Sequence, residues 1–230
     1  MKNILSTTLV FLIATFLVMA QEYPHPPLVC LGDSITKGYR PGVTKEETFS
    51  SQLEKLLLEK GCKNQVLNVG IGGERTDQAL HRFEKDVASK KPAMVLIMYG
   101  ANDSYIDKGK TSPRISKEQF ATNLKELVQK CKKIGAIPLL MTSNSYGRKP
   151  TNNGADKNPN DLLSEFMVVT RLVAKESNTL LIDHFEFWSL ADKSGTDVSK
   201  WTTDQLHPNP LGHKKMAELI LPIVIKNLAK

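Results

Sequence analysis

Pro27-Leu28-Val29-Cys30-Leu31-Gly32-Asp33-Ser34-Ile35-Thr36 joins an apolar run to a small polar turn, and that junction decides the architecture. A short apolar run closed by a glycine is too brief for a helix and reads as a strand buried on both faces. The same unit recurs downstream. Gln65-Val66-Leu67-Asn68-Val69 runs into Gly70-Ile71-Gly72-Gly73, and Ala93-Met94-Val95-Leu96-Ile97-Met98-Tyr99 runs into Gly100-Ala101-Asn102-Asp103. Ile137-Pro138-Leu139-Leu140-Met141 and Thr179-Leu180-Leu181-Ile182 supply a fourth and a fifth strand. Strands alternating with amphipathic stretches predict an α/β chain: a three-layer α/β/α sandwich around a mainly parallel five-stranded sheet.

Phe49, Leu53, Leu56 and Leu57 repeat at helical spacing and stop at Gly61, which suits a left-handed C-cap. Ala79, Leu80, Phe83 and Val87 mark a second helix. A third starts at Ser116-Lys117-Glu118-Gln119, which has the form of a capping box; it buries Phe120, Leu124, Leu127, Val128 and Cys131 before Gly135 ends it. Leu163, Phe166, Val169, Thr170 and Val173 suggest a fourth, and Pro210 to Leu228 a fifth that Pro222 is expected to kink. From Ser143 to Asn160, Asn, Gly, Pro, Lys and Ser crowd together without periodicity. A long loop at the carboxyl end of a strand predicts a wall of a ligand cleft.

The carboxyl ends of parallel strands share one rim, so Ser34, Gly73 and Asn102 converge there although they are distant in sequence. Asp204-Gln205-Leu206-His207-Pro208-Asn209 precedes the last helix and can fold over the same rim. A serine hydroxyl needs a base to take its proton as it attacks, and His207 suits that role. The imidazole in turn needs an acceptor for its other N–H, and Asp204 lies three residues earlier. The relay reads Ser34, His207, Asp204.

These islands, in this order, resemble the SGNH (GDSL-type) hydrolase family, and the resemblance covers essentially all of the chain after residue 20. It implies flavodoxin-like strand order and ester hydrolysis through an acyl-enzyme. It also implies an oxyanion hole made of the backbone N–H of Ser34, the backbone N–H of Gly73 and the side-chain amide of Asn102. Gly73 is preferred to Gly72 because the family's glycine stands five residues after the Asn, here Asn68. A glycine there lets the main chain approach the oxyanion without a Cβ. Asp33 and Asp103 read as structural.

Family members act on acetylated sugars, lysophospholipids, thioesters and small esters, so the resemblance leaves the substrate open. An expected leader, the polar 143–160 loop and Trp201 favour an O-acetyl group on carbohydrate; the Trp201 indole either packs on a sugar ring or belongs to the core. The alternatives are a lysophospholipase or thioesterase of the same family, or a non-catalytic carbohydrate-binding relative. A sugar hydroxyl in place of water would make the same residues an acyltransferase.

Lys2, the apolar run Leu9 to Met19 and the small residues Val18 and Ala20 have the form of a signal peptide over residues 1–20, with the hydrolase-like domain over 21–230. The run is shorter than the roughly 20 residues that span a bilayer, so a secreted or periplasmic protein without stable membrane insertion is expected; an uncleaved anchor is the rival. The 230 residues carry 31 basic and 24 acidic side chains, a net +7. The excess is dispersed over helix faces, as at Lys130, Lys132 and Lys133, which suits a solvated surface and not nucleic-acid binding. Cys30, Cys62 and Cys131 lack any metal or disulfide spacing; Cys30, in an apolar run, and Cys131, on the apolar face of a helix, read as buried thiols, one bridge remaining open. His25, His81, His184 and His213 have no partner at ligand spacing and read as exposed or satisfied, so no metal is expected. The glycine island lacks the G-x-G-x-x-G order, so no nucleotide cofactor is expected either.

Overall fold

The computed structural model describes residues 25–228; the expected leader over residues 1–20 lies outside them. The elements run β1 (His25–Gly32), α1 (Ser34–Lys37), α2 (Phe49–Glu59), β2 (Asn64–Asn68), α3 (Thr76–Asp86), β3 (Met94–Tyr99), α4 (Lys117–Lys133), β4 (Ile137–Thr142), α5 (Pro159–Glu176), β5 (Leu180–Ile182), α6 (His184–Lys193) and α7 (Pro210–Leu228). Every strand pairing is parallel, in the order β2-β1-β3-β4-β5. That is the flavodoxin-like order, whose direction of winding reverses between β1 and β3, where ligands of open α/β sheets collect.

The two-residue period of the strands divides the core. Leu28 and Cys30 of β1, with Leu96 and Met98 of β3, face Phe49, Leu53 and Leu57 of α2 and Met216, Ile220 and Val224 of α7. Val29 and Leu31, with Val95, Ile97 and Tyr99, face Phe83 of α3, Leu124 and Leu127 of α4 and Phe166 of α5. Side chains are buried on both faces of the sheet, so the strands read as continuous apolar runs. Gly61 takes a φ of 81° just beyond α2, and Ser116 Oγ accepts the Gln119 N–H at 3.1 Å to start α4.

Two helices were absent from the periodicity. α1 is a single turn whose polar residues show no stripe. α6 is short and aromatic, yet Asp183-His184-Phe185-Glu186 carried a start signal: Asp183 Oδ1 accepts the Glu186 N–H at 3.1 Å. α7 continues past Pro222 to Leu228.

All three cysteines are free thiols; Cys30 and Cys131 are buried in the cores on opposite sides of the sheet, and Cys62 is half-buried. His184 and His213 differ from expectation. Both are fully buried; neither ring nitrogen of His184 has a partner among the described residues, and the His213 ring sits against the Gly38 backbone, whose hydrogen bond acts to raise its pKa against burial. Burial drives their pKa down, to about 3 and about 4, so both imidazoles are neutral in the folded chain.

Candidate active site

β1 delivers its carboxyl end into a turn that only glycine fits: a Cβ on Gly32 would lie 2.6 Å from the Met98 carbonyl oxygen. Asp33 then caps α1, its Oδ1 accepting the Ile35 N–H at 2.8 Å, and Ser34 becomes the first residue of the helix. Ser34 Oγ lies 2.9 Å from His207 Nε2. His207 Nδ1 lies 2.8 Å from Asp204 Oδ2, while Asp204 Oδ1 accepts the backbone N–H groups of His207 at 2.9 Å and Leu206 at 3.2 Å. A carboxylate facing Nδ1 selects the tautomer that leaves Nε2 free to accept the serine proton.

The loop carrying Asp204 and His207 is braced by residues 143–149. Asn144 Nδ2 donates to the Leu206 carbonyl at 2.8 Å, and Gly147 N–H to the Gln205 carbonyl at 2.6 Å. Farther along the same segment, Gly154 N–H donates to the Ile106 carbonyl at 2.7 Å. The first part of the 143–160 loop thus also braces the site, with Ser143, Asn144 and Ser145 buried, while Arg148, Lys149 and Asn152 farther along are exposed.

The N–H groups of Ser34, Gly72 and Gly73 have no acceptor among the described residues. Asn102 stands at the end of β3, its Nδ2 3.3 Å from Asp33 Oδ2. Asn68 ties the glycine island to α1, its Nδ2 donating to the Thr36 carbonyl at 2.7 Å and its Oδ1 accepting Gly70 N–H at 3.0 Å. Gly73 has φ 77°, and a Cβ there would meet nothing within 4 Å. Within the folded chain, then, the left-handed backbone calls for glycine at 73; close approach does so at Gly70, where a Cβ would lie 2.2 Å from Lys37 N.

Trp201 is not the sugar platform that the sequence suggests. It is 8 % exposed, 5.0 Å from the Trp188 ring in an edge-on contact and stacked on Phe187, so it belongs to the core beneath α6 and presents no open face to a sugar. Asp33 and Asp103 are buried beneath the rim; Asp103 Oδ1 accepts both the N–H and the hydroxyl of Thr76. Burial pushes the Asp33 carboxyl up to about 7, with the nearby Asp103 charge adding to the effect.

Arg40 joins the site without any signal in the sequence. Its Nη2 lies 2.7 Å from Asp204 Oδ2, the oxygen that also faces His207 Nδ1. No spacing pattern links the two residues; a lone arginine shortly after the serine was the only trace. Burial acts to raise the Asp204 carboxyl, but the His207 and Leu206 N–H groups and the His207 charge outweigh it and hold it below the usual value. Burial lowers the His207 imidazole below the ordinary 6.5, Asp204 opposes that shift, and the Arg40 charge adds to it. A base works only when neutral, so kcat/KM should fall as pH drops through the His207 pKa, with the acid limb below 6.5. Arg40→Met should move that limb upward, because a neighbouring cation that disfavours imidazolium is gone. A pH–rate profile of both proteins checks this; a limb at the same pH in both contradicts it.

A hydroxyl, an imidazole and a carboxylate in series, beside unpaired backbone donors on the rim of a parallel sheet, make a site of the serine-hydrolase class. The chain belongs to the GDSL-like lipase/acylhydrolase family, which matches residues 30–215, and it is a carboxylic ester hydrolase of the SGNH type. An uncharacterized lipoprotein of Bacillus subtilis (strain 168), YqeF, is 35% identical over 119 residues; these are 51% of this chain and 48% of that protein, so the chain spans about half of that relative. An arylesterase of Vibrio mimicus is 28% identical across 96% of this chain and 98% of its own. Among solved structures, the acetyl xylan esterase AlAXEase superposes with a TM-score of 0.71 at 25% identity, over 86% of this chain and 99% of that one.

Proposed function

We propose that the protein is an exported serine esterase that removes O-acetyl groups from carbohydrate through Ser34, His207 and Asp204. The observation that carries the chemistry is the unbroken contact from Ser34 Oγ to His207 Nε2 at 2.9 Å and from His207 Nδ1 to Asp204 Oδ2 at 2.8 Å. Ser34 Oγ attacks the ester carbonyl as its proton passes to His207 Nε2. The resulting oxyanion is held by the N–H groups of Ser34 and Gly73 and the Asn102 amide. Collapse expels the sugar hydroxyl, which takes the proton from His207. Water then repeats the sequence on the acetyl-enzyme and releases acetate, Asp204 staying ionised throughout.

Two observations support an acetylated carbohydrate. AlAXEase is named for acetyl xylan, and the likeness to it spans nearly all of that chain. A groove of about 560 Å³ of mixed polar and apolar lining, with Ser145, Tyr146, Arg148, Asn160, Ser164 and Phe185 on its walls and none of Ser34, Asn102, Asp204 or His207 among them, adjoins the segment that braces the His207 loop. Its hydroxyls, amides and aromatic rings suit sugar recognition better than an acyl chain. Lys2 followed by the apolar Leu9 to Met19 run supports export. Among the described residues no helix is long and apolar enough to cross a membrane.

Acetate release from acetylated xylan, and rates on aryl acetate against aryl octanoate, test the reading. We expect acetyl over octanoyl preference by about tenfold or more, and a secreted protein beginning at Gln21. Faster turnover of octanoyl esters or lysophospholipids would replace the carbohydrate by a lipid or thioester substrate.

A further inference from the structure

We propose that Arg114 is a positioning residue that locks the Asn102 amide with its N–H groups toward the oxyanion, an inference that rests on the oxyanion role proposed for Asn102. Arg114 Nη1 donates to Asn102 Oδ1 at 3.2 Å. The guanidinium is itself held: Nη2 donates to Asp107 Oδ1 at 2.7 Å and Nε to Asp107 Oδ2 at 3.0 Å, and the group lies 5.0 Å over the Tyr105 ring. Asp107 is backed by the 143–160 loop, where a Cβ on Gly154 would lie 2.1 Å from the Asp107 carbonyl.

A primary amide presents a donor end and an acceptor end, related by a half-turn. Turned the wrong way, Asn102 would aim oxygen lone pairs at the developing oxyanion and raise the barrier it should lower. Asp33, on the other side of the amide, cannot decide the orientation alone, because a carboxyl titrating near 7 is able to donate as well as accept at neutral pH. A guanidinium has no acceptor, so the atom facing it must be Oδ1. The positive charge also draws density from Oδ1, which makes the amide N–H groups stronger donors. Arg114 thus acts on the reaction only through Asn102.

A double-mutant cycle on an aryl acetate tests the coupling. Arg114→Met should lower kcat by about tenfold with KM changed less than about twofold. In the Asn102→Ala background the same substitution should change kcat less than about twofold, since there is no amide left to orient. If Asn102→Ala slows the enzyme and Arg114→Met costs as much in that background as alone, or acts on KM only, the Arg114 inference is wrong while the oxyanion reading stands. If Asn102→Ala leaves kcat intact, the oxyanion reading itself fails and takes this inference with it. Should Arg114→Met not fold, the cycle runs with Arg114→Lys, whose ammonium keeps the charge yet cannot span Asp107 and Asn102 together; about a threefold loss is expected, again vanishing in the Asn102→Ala background.

Discussion

Ser34→Ala and His207→Ala are each expected to lower kcat for an acetyl ester by about five to six orders of magnitude. The reason lies in the shared contact. Ser34 Oγ and His207 Nε2 meet at 2.9 Å, and neither group performs its step without the other. Removing both should therefore cost little more than removing one, the residual rate coming from the oxyanion donors and binding. Folding should survive. The α1 turn is capped by Asp33, not by Ser34, and the 203–207 turn is closed by bonds that do not use the imidazole: the His207 N–H donates to the Asp204 side chain at Oδ1, and the Thr203 N–H donates to the His207 carbonyl. A fluorophosphonate should label Ser34 in the parent and nothing in Ser34→Ala. Appreciable turnover by a folded Ser34→Ala protein would remove Ser34 from the reaction.

Asn102→Ala comes next in size. Loss of one oxyanion donor typically costs about a hundred to a thousand fold in kcat. The change in KM should be much smaller, because the amide gains most from the substrate once negative charge has formed. Asn102 is half-buried at the end of β3, and its two side-chain contacts are with Asp33 and Arg114. Its truncation also frees a partly ionised carboxyl beneath the rim, so thermal stability should be measured alongside. An effect confined to KM would make Asn102 a substrate-holding residue instead.

Much of the molecule was legible in the chain itself. β1, β3 and β4 are apolar runs because both faces of the sheet are covered, and a run of that kind announces itself without any knowledge of its neighbours. Ser34, Asn102, Asp204 and His207 were legible for another reason: each is a reactive or polar residue placed directly after a strand or before the last helix, where topology alone brings them to one rim. Gly61 and Ser116 marked helix ends through local backbone chemistry.

What stayed hidden depends on which way a side chain points and what it meets across the fold. Trp201 reads equally well as a sugar platform or as core, and only the positions of Phe187 and Trp188 turned it inward. The 143–160 loop reads as a wall of a ligand cleft, and its bonds to Gln205, Leu206 and Ile106 show that it is a brace as well. Arg40 beside Asp204 and Arg114 beside Asn102 belong to no spacing rule, because an ion pair or a hydrogen bond between distant segments leaves no periodicity in either. The sequence by itself determined the layers, the rim and the reactive side chains, since those follow from local pattern and from the geometry of parallel strands. The tertiary structure alone decided which charged groups surround them, since that is set by long-range packing and by the directions in which side chains leave their elements.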